Sequence, residues 1–312
     1  MSQPVRLDVP ASVGEVDAPV SVEDVDRRSA SPVSDFVALT KPRLNGLVVA
    51  TCAAGYYLGS PQAPAMVPMI QTVIGTTLVA AGSAALNQVL ERDTDALMTR
   101  TRTRPLPDRR VGPIDAAIFG LVLSTIGIGM LAATANLLAA MLALTTLIVY
   151  VLVYTPMKRR SDLSTIVGAI PGALPPLIGW AAGAGALTSG GWALFAIVFL
   201  WQIPHFMAIA WLYRDDYGRA GFPMLPVIDP AGRLAGRQAL LYSAALLPVS
   251  LIPPVLGVTT PTYFWLALVL GAALIGLSWR FASQPSERTA RALFFGSIIY
   301  LPLVWAAMIV TH

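Results

Sequence analysis

From Val67 to Leu90 the chain runs without a single charged side chain. A helix of that length is long enough to cross a hydrocarbon core of roughly 30 Å. Eight more segments are apolar and long enough to do the same, with charge only at Asp115 and Arg291 near their ends, so nine are counted: about 44–60, 67–90, 112–134, 136–155, 163–184, 191–213, 238–258, 262–279 and 291–310. In a bilayer each backbone N–H and C=O must be bonded within its own segment, which makes such runs helices. The expected fold is therefore all-α: a polytopic membrane protein with nine transmembrane helices in a bundle. Composition agrees, with 12% charged residues against about a quarter in soluble domains. The lone cysteine, Cys52, excludes an intramolecular disulfide.

The basic residues orient the bundle. With nine spans and the Lys41-Pro42-Arg43 end placed inside, the 21 Lys and Arg residues fall in or at the edge of 1–43, 91–111, 156–162, 214–237 and 280–290. None falls in the loops between. Missing one span would scatter them over both faces, so the split supports the count and predicts a cytoplasmic N-terminus. It explains the net charge of +4 without nucleic acid. It also puts 91–111 and 214–237 on one side. Residues 1–35 are polar and lack the apolar core of a signal peptide, and are expected to be a disordered tail ahead of one domain over 36–312.

Chemistry concentrates where the apolar helices meet water. Asn87, Glu91 and Asp95 are spaced four apart, so a helix continuing past Leu90 carries all three on one face. A solvated helix end would also carry charge there. Oxygen ligands at this spacing suit Mg²⁺, which turns carboxylate–diphosphate repulsion into a bridge. Arg100, Arg102, Arg104, Arg109 and Arg110 follow; they serve the topology signal, but Arg100 and Arg104 flank the carboxylates and suit phosphate oxygens. Lys158, after Tyr154-Thr155-Pro156-Met157, is a further phosphate contact or a topology anchor. His205, within Trp201-Gln202-Ile203-Pro204-His205-Phe206, faces a cavity or rests neutral against a neighbouring helix. Asp215 and Asp216 could hold a second metal or pair with Arg214 or Arg219.

Asn87-x-x-x-Glu91-x-x-x-Asp95 resembles the signature of the intramembrane (UbiA-type) prenyltransferases. Further stretches resemble the haem-farnesylating branch of that superfamily: Leu39 to Arg43, Glu91 to Leu106, Tyr154-Thr155 with Lys158-Arg159, Gly172 to Trp180, Trp201 to Phe206, and Tyr213 to Pro226. The resemblance covers about 36–310. Two departures stand out. Glu91 occupies a position that is usually aspartate, and the second acidic site offers adjacent Asp215 and Asp216 rather than a four-residue spacing.

The resemblance implies a Mg²⁺-dependent transfer of a farnesyl group from farnesyl diphosphate to a vinyl group of haem b, with water capturing the resulting cation to give haem O. It implies metal binding by Asn87, Glu91, Asp95 and Asp216. Arg100, Lys158 and His205 join the first three as catalytic residues, and Arg43, Arg104, Tyr154, Arg214, Asp215 and Asp216 bind substrate. His205 would meet the haem iron, a propionate or the water. The site would open at the cytoplasmic mouth of a plasma-membrane bundle, with the lipid bilayer around it. Candidate protein partners are a downstream haem-modifying enzyme or an oxidase assembly factor. A quinone-pathway aromatic prenyltransferase shares the first motif, and a cation-coupled transporter also keeps acidic residues near helix ends.

Overall fold

The structure is a computed structural model and describes residues 31–312. Helices make up the fold, and there is no strand among the described residues. In chain order they are α1 (Pro32–Leu39), α2 (Pro42–Gly59), α3 (Met66–Asp95), α4 (Pro113–Thr134), α5 (Leu137–Ile148), a π-helical stretch Val149–Tyr154, α6 (Thr155–Met157), α7 (Ser164–Ala184), α8 (Ser189–Leu212), α9 (Arg214–Arg219), α10 (Leu225–Ile228), α11 (Arg233–Ser250), α12 (Ile252–Val255), α13 (Thr262–Ser283) and α14 (Glu287–Val310).

Among the described residues, eight spans are long and apolar enough to cross a membrane; α5 to α6 and α11 to α12 each count as one. The ninth expected span, α2, forms as an 18-residue helix but is not among those eight. Its second half, from Thr51 on, is rich in Gly and Ala and packs inside the bundle, whereas Leu44 and Leu47 of the first half are exposed. One boundary moves. Ser31 caps α1 by accepting the Ser34 N–H, Pro32 starts the helix, and Asp35 and Leu39 are buried. Residues 32–35, expected in the tail, are therefore helical, while the expected disorder of 1–30 lies outside the described residues.

Helix packing uses small residues in place of hydrophobic drive, which is weak between helices in lipid. A Cβ at Gly55 of α2 would overlap the Pro176 carbonyl of α7, and one at Gly179 of α7 would overlap the Cys52 carbonyl of α2. On α3, Gly75 and Gly82 face Gly127 and Gly120 of α4. Asn136 sits at the turn of the α4–α5 hairpin: it caps α5 through the Ala139 N–H at 2.8 Å and donates to the Ala181 carbonyl of α7 at 2.8 Å. The second half, α8 with α11, α13 and α14, shares a core around Leu246, Leu274, Phe281, Leu293 and Val304. Buried hydroxyl pairs fasten it, Ser243 to Ser278 and Ser250 to Tyr300, both at 2.7 Å. Between the halves α2, α3, α5, α7 and α8 enclose a cavity.

The π stretch has a local cause. Pro156 lacks an N–H and its ring crowds the carbonyl four residues back, so the turn before it widens. The Thr155 N–H reaches back five residues to the Tyr150 carbonyl, and Thr155 Oγ1 donates to the same oxygen at 2.8 Å. Tyr150 and Tyr154 then stack, with centroids 5.4 Å apart, and both line the cavity.

Candidate active site

The cavity has a volume of about 440 Å³, within the range of small-molecule sites. Its mouth is polar and its shaft apolar. The expected face of α3 forms: Asn87, Glu91 and Asp95 are 2%, 4% and 1% exposed and line the cavity, whereas Asp93 points to solvent.

Each acidic or amide group of this face is met by a cation from another segment. Lys41 Nζ donates to Asn87 Oδ1 at 2.9 Å, and Asn87 Nδ2 donates to Thr155 Oγ1 at 3.0 Å. Lys158 Nζ donates to both Glu91 oxygens, at 3.0 and 3.2 Å. Arg104 Nη1 donates to Asp95 Oδ2 at 2.7 Å. Asp95 Oδ1 is buried with no hydrogen-bond partner. A buried carboxylate oxygen left bare is costly unless something occupies it. With the aligned Asn87 and Glu91 oxygens, it makes a donor set of the kind Mg²⁺ accepts, so these residues fit the ion that the sequence suggests.

Lys41 and Lys158 lie just beyond the spans, and their environments differ. Burial pulls the Lys41 ammonium down, Arg104 beside it adds to the effect, and Glu91 and Asp95 oppose; the result is about 8. Burial also acts to lower Lys158, but the Tyr154 hydroxyl, the Glu91 carboxylate and Tyr217 outweigh it and hold Lys158 above the ordinary lysine range. Lys158 is thus a fixed charge. Phe222 lies 4.8 Å beneath its ammonium.

Two interhelical segments close over the mouth. Arg100 lines the cavity, donates to the Tyr217 hydroxyl at 2.9 Å and stacks against the rings of Tyr213 and Tyr217. Asp216 accepts the Thr99 N–H at 3.3 Å and pairs with Arg219, whose Nη2 also reaches Thr99 Oγ1 at 2.9 Å. Segments 96–112 and 213–224 therefore lie at the same end of the bundle, as the charge pattern requires. Met98, Tyr217, Phe222 and Met224 make a small apolar seal beneath them.

Four expected site residues are not brought to the cavity wall. Arg43 is exposed on the far side of the α2 start, because Lys41 takes the inward direction from a left-handed backbone, φ +49°. Arg214 donates to the Trp211 carbonyl at 2.9 Å and covers the Trp211 ring. Asp215 is exposed, and Asp216 is spent on Arg219 and Thr99, so no metal pair forms there. Among the described residues, no three His, Cys, Asp or Glu side chains form a metal cluster. The first site needs the Asn87 amide to complete its set.

Deeper down, His205 is stacked between Trp201 and Phe294, with centroids 5.0 and 5.1 Å away. Its Nδ1 meets Ser297 Oγ at 2.8 Å, which itself donates to the Phe294 carbonyl. His205 also lines the cavity, so Nδ1 is occupied and Nε2 remains for a ligand. On α3 the lining continues from Asn87 down to Thr76, eleven residues or about 16 Å along the helix. Thr51, Ile178 and Val198 line the deep end from α2, α7 and α8.

Sequence reasoning missed Lys41, Tyr150, Thr155 and Tyr217. Lys41 and Arg43 are both basic and adjacent to the same proline, and only the backbone turn tells them apart. Pro156 was the one legible sign of the widened turn that brings in Tyr150 and Thr155.

Comparison with known proteins places this geometry. A protohaem IX farnesyltransferase of Solibacter usitatus is 46% identical over 284 residues, covering 88% of this chain and 97% of that protein. A structure of digeranylgeranylglyceryl phosphate synthase superposes with a TM-score of 0.75 at 17% identity, over 89% of this chain and 98% of that one. A UbiA homologue from Archaeoglobus fulgidus bound to GPP and Mg²⁺ has a TM-score of 0.58 at 16% identity, over 88% of this chain and 99% of that one. The model of the UbiA prenyltransferase family matches residues 48–299, most of the chain, and the chain belongs to that family.

Proposed function

We propose that the protein transfers the farnesyl group of farnesyl diphosphate to a vinyl group of haem b, forming haem O. The observation that carries this reading is one cavity in which a carboxylate face with an unpartnered Asp95 oxygen, three opposing cations and an apolar shaft meet. The acceptor is inferred from the relative named protohaem IX farnesyltransferase and from the stacked His205.

The diphosphate head lies at the mouth. Asn87, Asp95 and Glu91 would hold Mg²⁺, which would supply Lewis-acid charge to the leaving diphosphate. Lys41, Lys158 and Arg104, already seated around this face, present their positive charge to the phosphate oxygens, with Arg100 at the same mouth. These cations are held before the reaction starts, so they stabilise the departing diphosphate without reorganising. The C–O bond breaks with its electron pair leaving on the diphosphate, and the allylic carbon becomes cationic. The Met98, Tyr217, Phe222 and Met224 seal keeps bulk water from that carbon. The haem vinyl group supplies the electrons of the new C–C bond, and water then captures the cation beside the porphyrin and loses a proton. His205, through Nε2, holds the haem iron, a propionate or that water.

Chain length fits. A farnesyl main chain has eleven C–C bonds, which at about 1.2 Å of reach each extend ~13 Å. The shaft below Asn87 is about 16 Å deep. Asp216 serves the mouth from its place between Thr99 and Arg219. The cavity mouth faces the cytoplasm of a plasma-membrane protein, the side carrying the Lys and Arg residues and the side from which a diphosphate arrives. The product passes to a downstream haem-modifying enzyme or an oxidase assembly factor.

The test is incubation of purified protein with haem b, farnesyl diphosphate and Mg²⁺, followed by mass analysis of the haem. Farnesylated, hydrated haem is the expected product. Unmodified haem beside a working control enzyme refutes the assignment, and a prenylated benzoate in its place assigns the quinone-pathway reaction instead.

A further inference from the structure

The main chain around Arg104 is bonded into a network that lies outside the mouth. Asp35, on α1 and 5% exposed, pairs with Arg110 Nη1. The other donors of the same guanidinium are also engaged: Nε reaches Asp108 Oδ2 at 3.0 Å and Nη2 reaches the Thr103 carbonyl at 2.8 Å. Thr103 immediately precedes Arg104. The Arg104 carbonyl accepts the Asp108 N–H at 3.0 Å, so Arg110 grips the main chain on both sides of the arginine that meets Asp95. The chain doubles back to do this, through Arg109 at φ +59° and the Arg110 N–H on the Pro105 carbonyl at 2.9 Å.

α1 is itself anchored to the bundle. Gln88, next to Asn87, donates to the Leu39 carbonyl at 2.7 Å. Leu39 and Leu106 are buried in one cluster with Ala85 and Ala116, and Phe36 meets Phe119 edge-on at 5.1 Å. α1 precedes the residues matched by the family model, which begin at 48. A buried carboxylate in a short helix at a membrane boundary is costly, and here its charge is directed at one guanidinium with three separate partners.

We infer that Asp35 is a positioning residue for prenyl-diphosphate binding: through Arg110 it fixes the backbone around Arg104 and so sets where that guanidinium stands. α1 is a strut for the catalytic mouth. The inference rests on the diphosphate reading of the cavity and is independent of the acceptor.

The experiment titrates the full-length protein in detergent with farnesyl thiolodiphosphate, an unreactive analogue, in the presence of Mg²⁺. Asp35→Asn is expected to weaken binding about tenfold and Asp35→Glu to recover most of it. In an Arg104→Ala background, Asp35→Asn is expected to change affinity by less than twofold, because its effect passes through Arg104. Arg110→Lys keeps a charge for Asp35 but cannot also reach Asp108 and Thr103. It carries the same expectation and serves if Asp35→Asn does not purify. Unchanged binding in these variants, or an equal loss with and without Arg104, overturns the inference. A wild-type chain that does not bind the analogue overturns the diphosphate reading, and this one with it.

Discussion

Replacing Lys158 with methionine strands the Glu91 carboxylate. The pair is buried, with side-chain exposures of 10% and 5% and a closest approach of 3.0 Å. At an effective dielectric constant of ~20, that separation corresponds to about 5 kcal/mol of gross attraction. Most of this offsets desolvation in the intact pair, so the pair itself is a poor source of stability. Removing one partner is different, because the remaining charge keeps its desolvation cost and loses its compensation, at about 3–5 kcal/mol. For a chain of this size, ~2 °C per kcal/mol gives a fall in melting temperature of about 6–10 °C. Glu91→Gln combined with Lys158→Met removes both charges and should recover most of that loss. Turnover should not recover, since a cation preorganised for the departing diphosphate contributes on the order of 10²–10³ in rate. The assay is thermal unfolding in detergent of wild type, single and double variants, alongside initial rates of farnesyl transfer. A single variant that melts with the wild type, or a double variant that turns over normally, refutes the reasoning.

Asp95→Asn should lower turnover by about 10²–10³, and a chelator should abolish wild-type turnover until Mg²⁺ is restored; steady-state rates settle both. Ile178→Ala should deepen the shaft. A geranylgeranyl main chain, fifteen bonds or ~18 Å, overruns the present depth, so competition between the two diphosphates should shift toward the longer one by ~10-fold or more. His205→Phe keeps the stacking between Trp201 and Phe294 but removes both ring nitrogens. It should raise KM for haem and leave binding of a farnesyl diphosphate analogue unchanged; if analogue binding falls equally, His205 serves the wrong substrate. Gly179→Val should force α2 and α7 apart at the Cys52 carbonyl and destabilise the bundle by about 1–3 kcal/mol, read as a lower melting temperature. A fully stable variant would show that the close approach is not required.

The helices and the acidic face were readable because both depend on short-range regularities. Hydropathy over some twenty residues selects a span, and the 3.6-residue period puts Asn87, Glu91 and Asp95 on one side whatever surrounds them. The confinement of basic residues to alternate connecting segments predicted that 96–112 and 213–224 share one end, where Thr99 and Asp216 touch. Partner choice among the charges was not readable in that way. Lys41 rather than Arg43 enters the site because one residue adopts a left-handed backbone. Asp216 binds Arg219 rather than completing a metal site because α9 holds the two on adjoining turns. Asp35 belongs to the mouth through Arg110, seventy-five residues away in the chain. A linear pattern records which side chains are charged and which face of a helix they occupy. The contacts that decide what each charge does are made between distant segments, and only the packing of the bundle sets those distances.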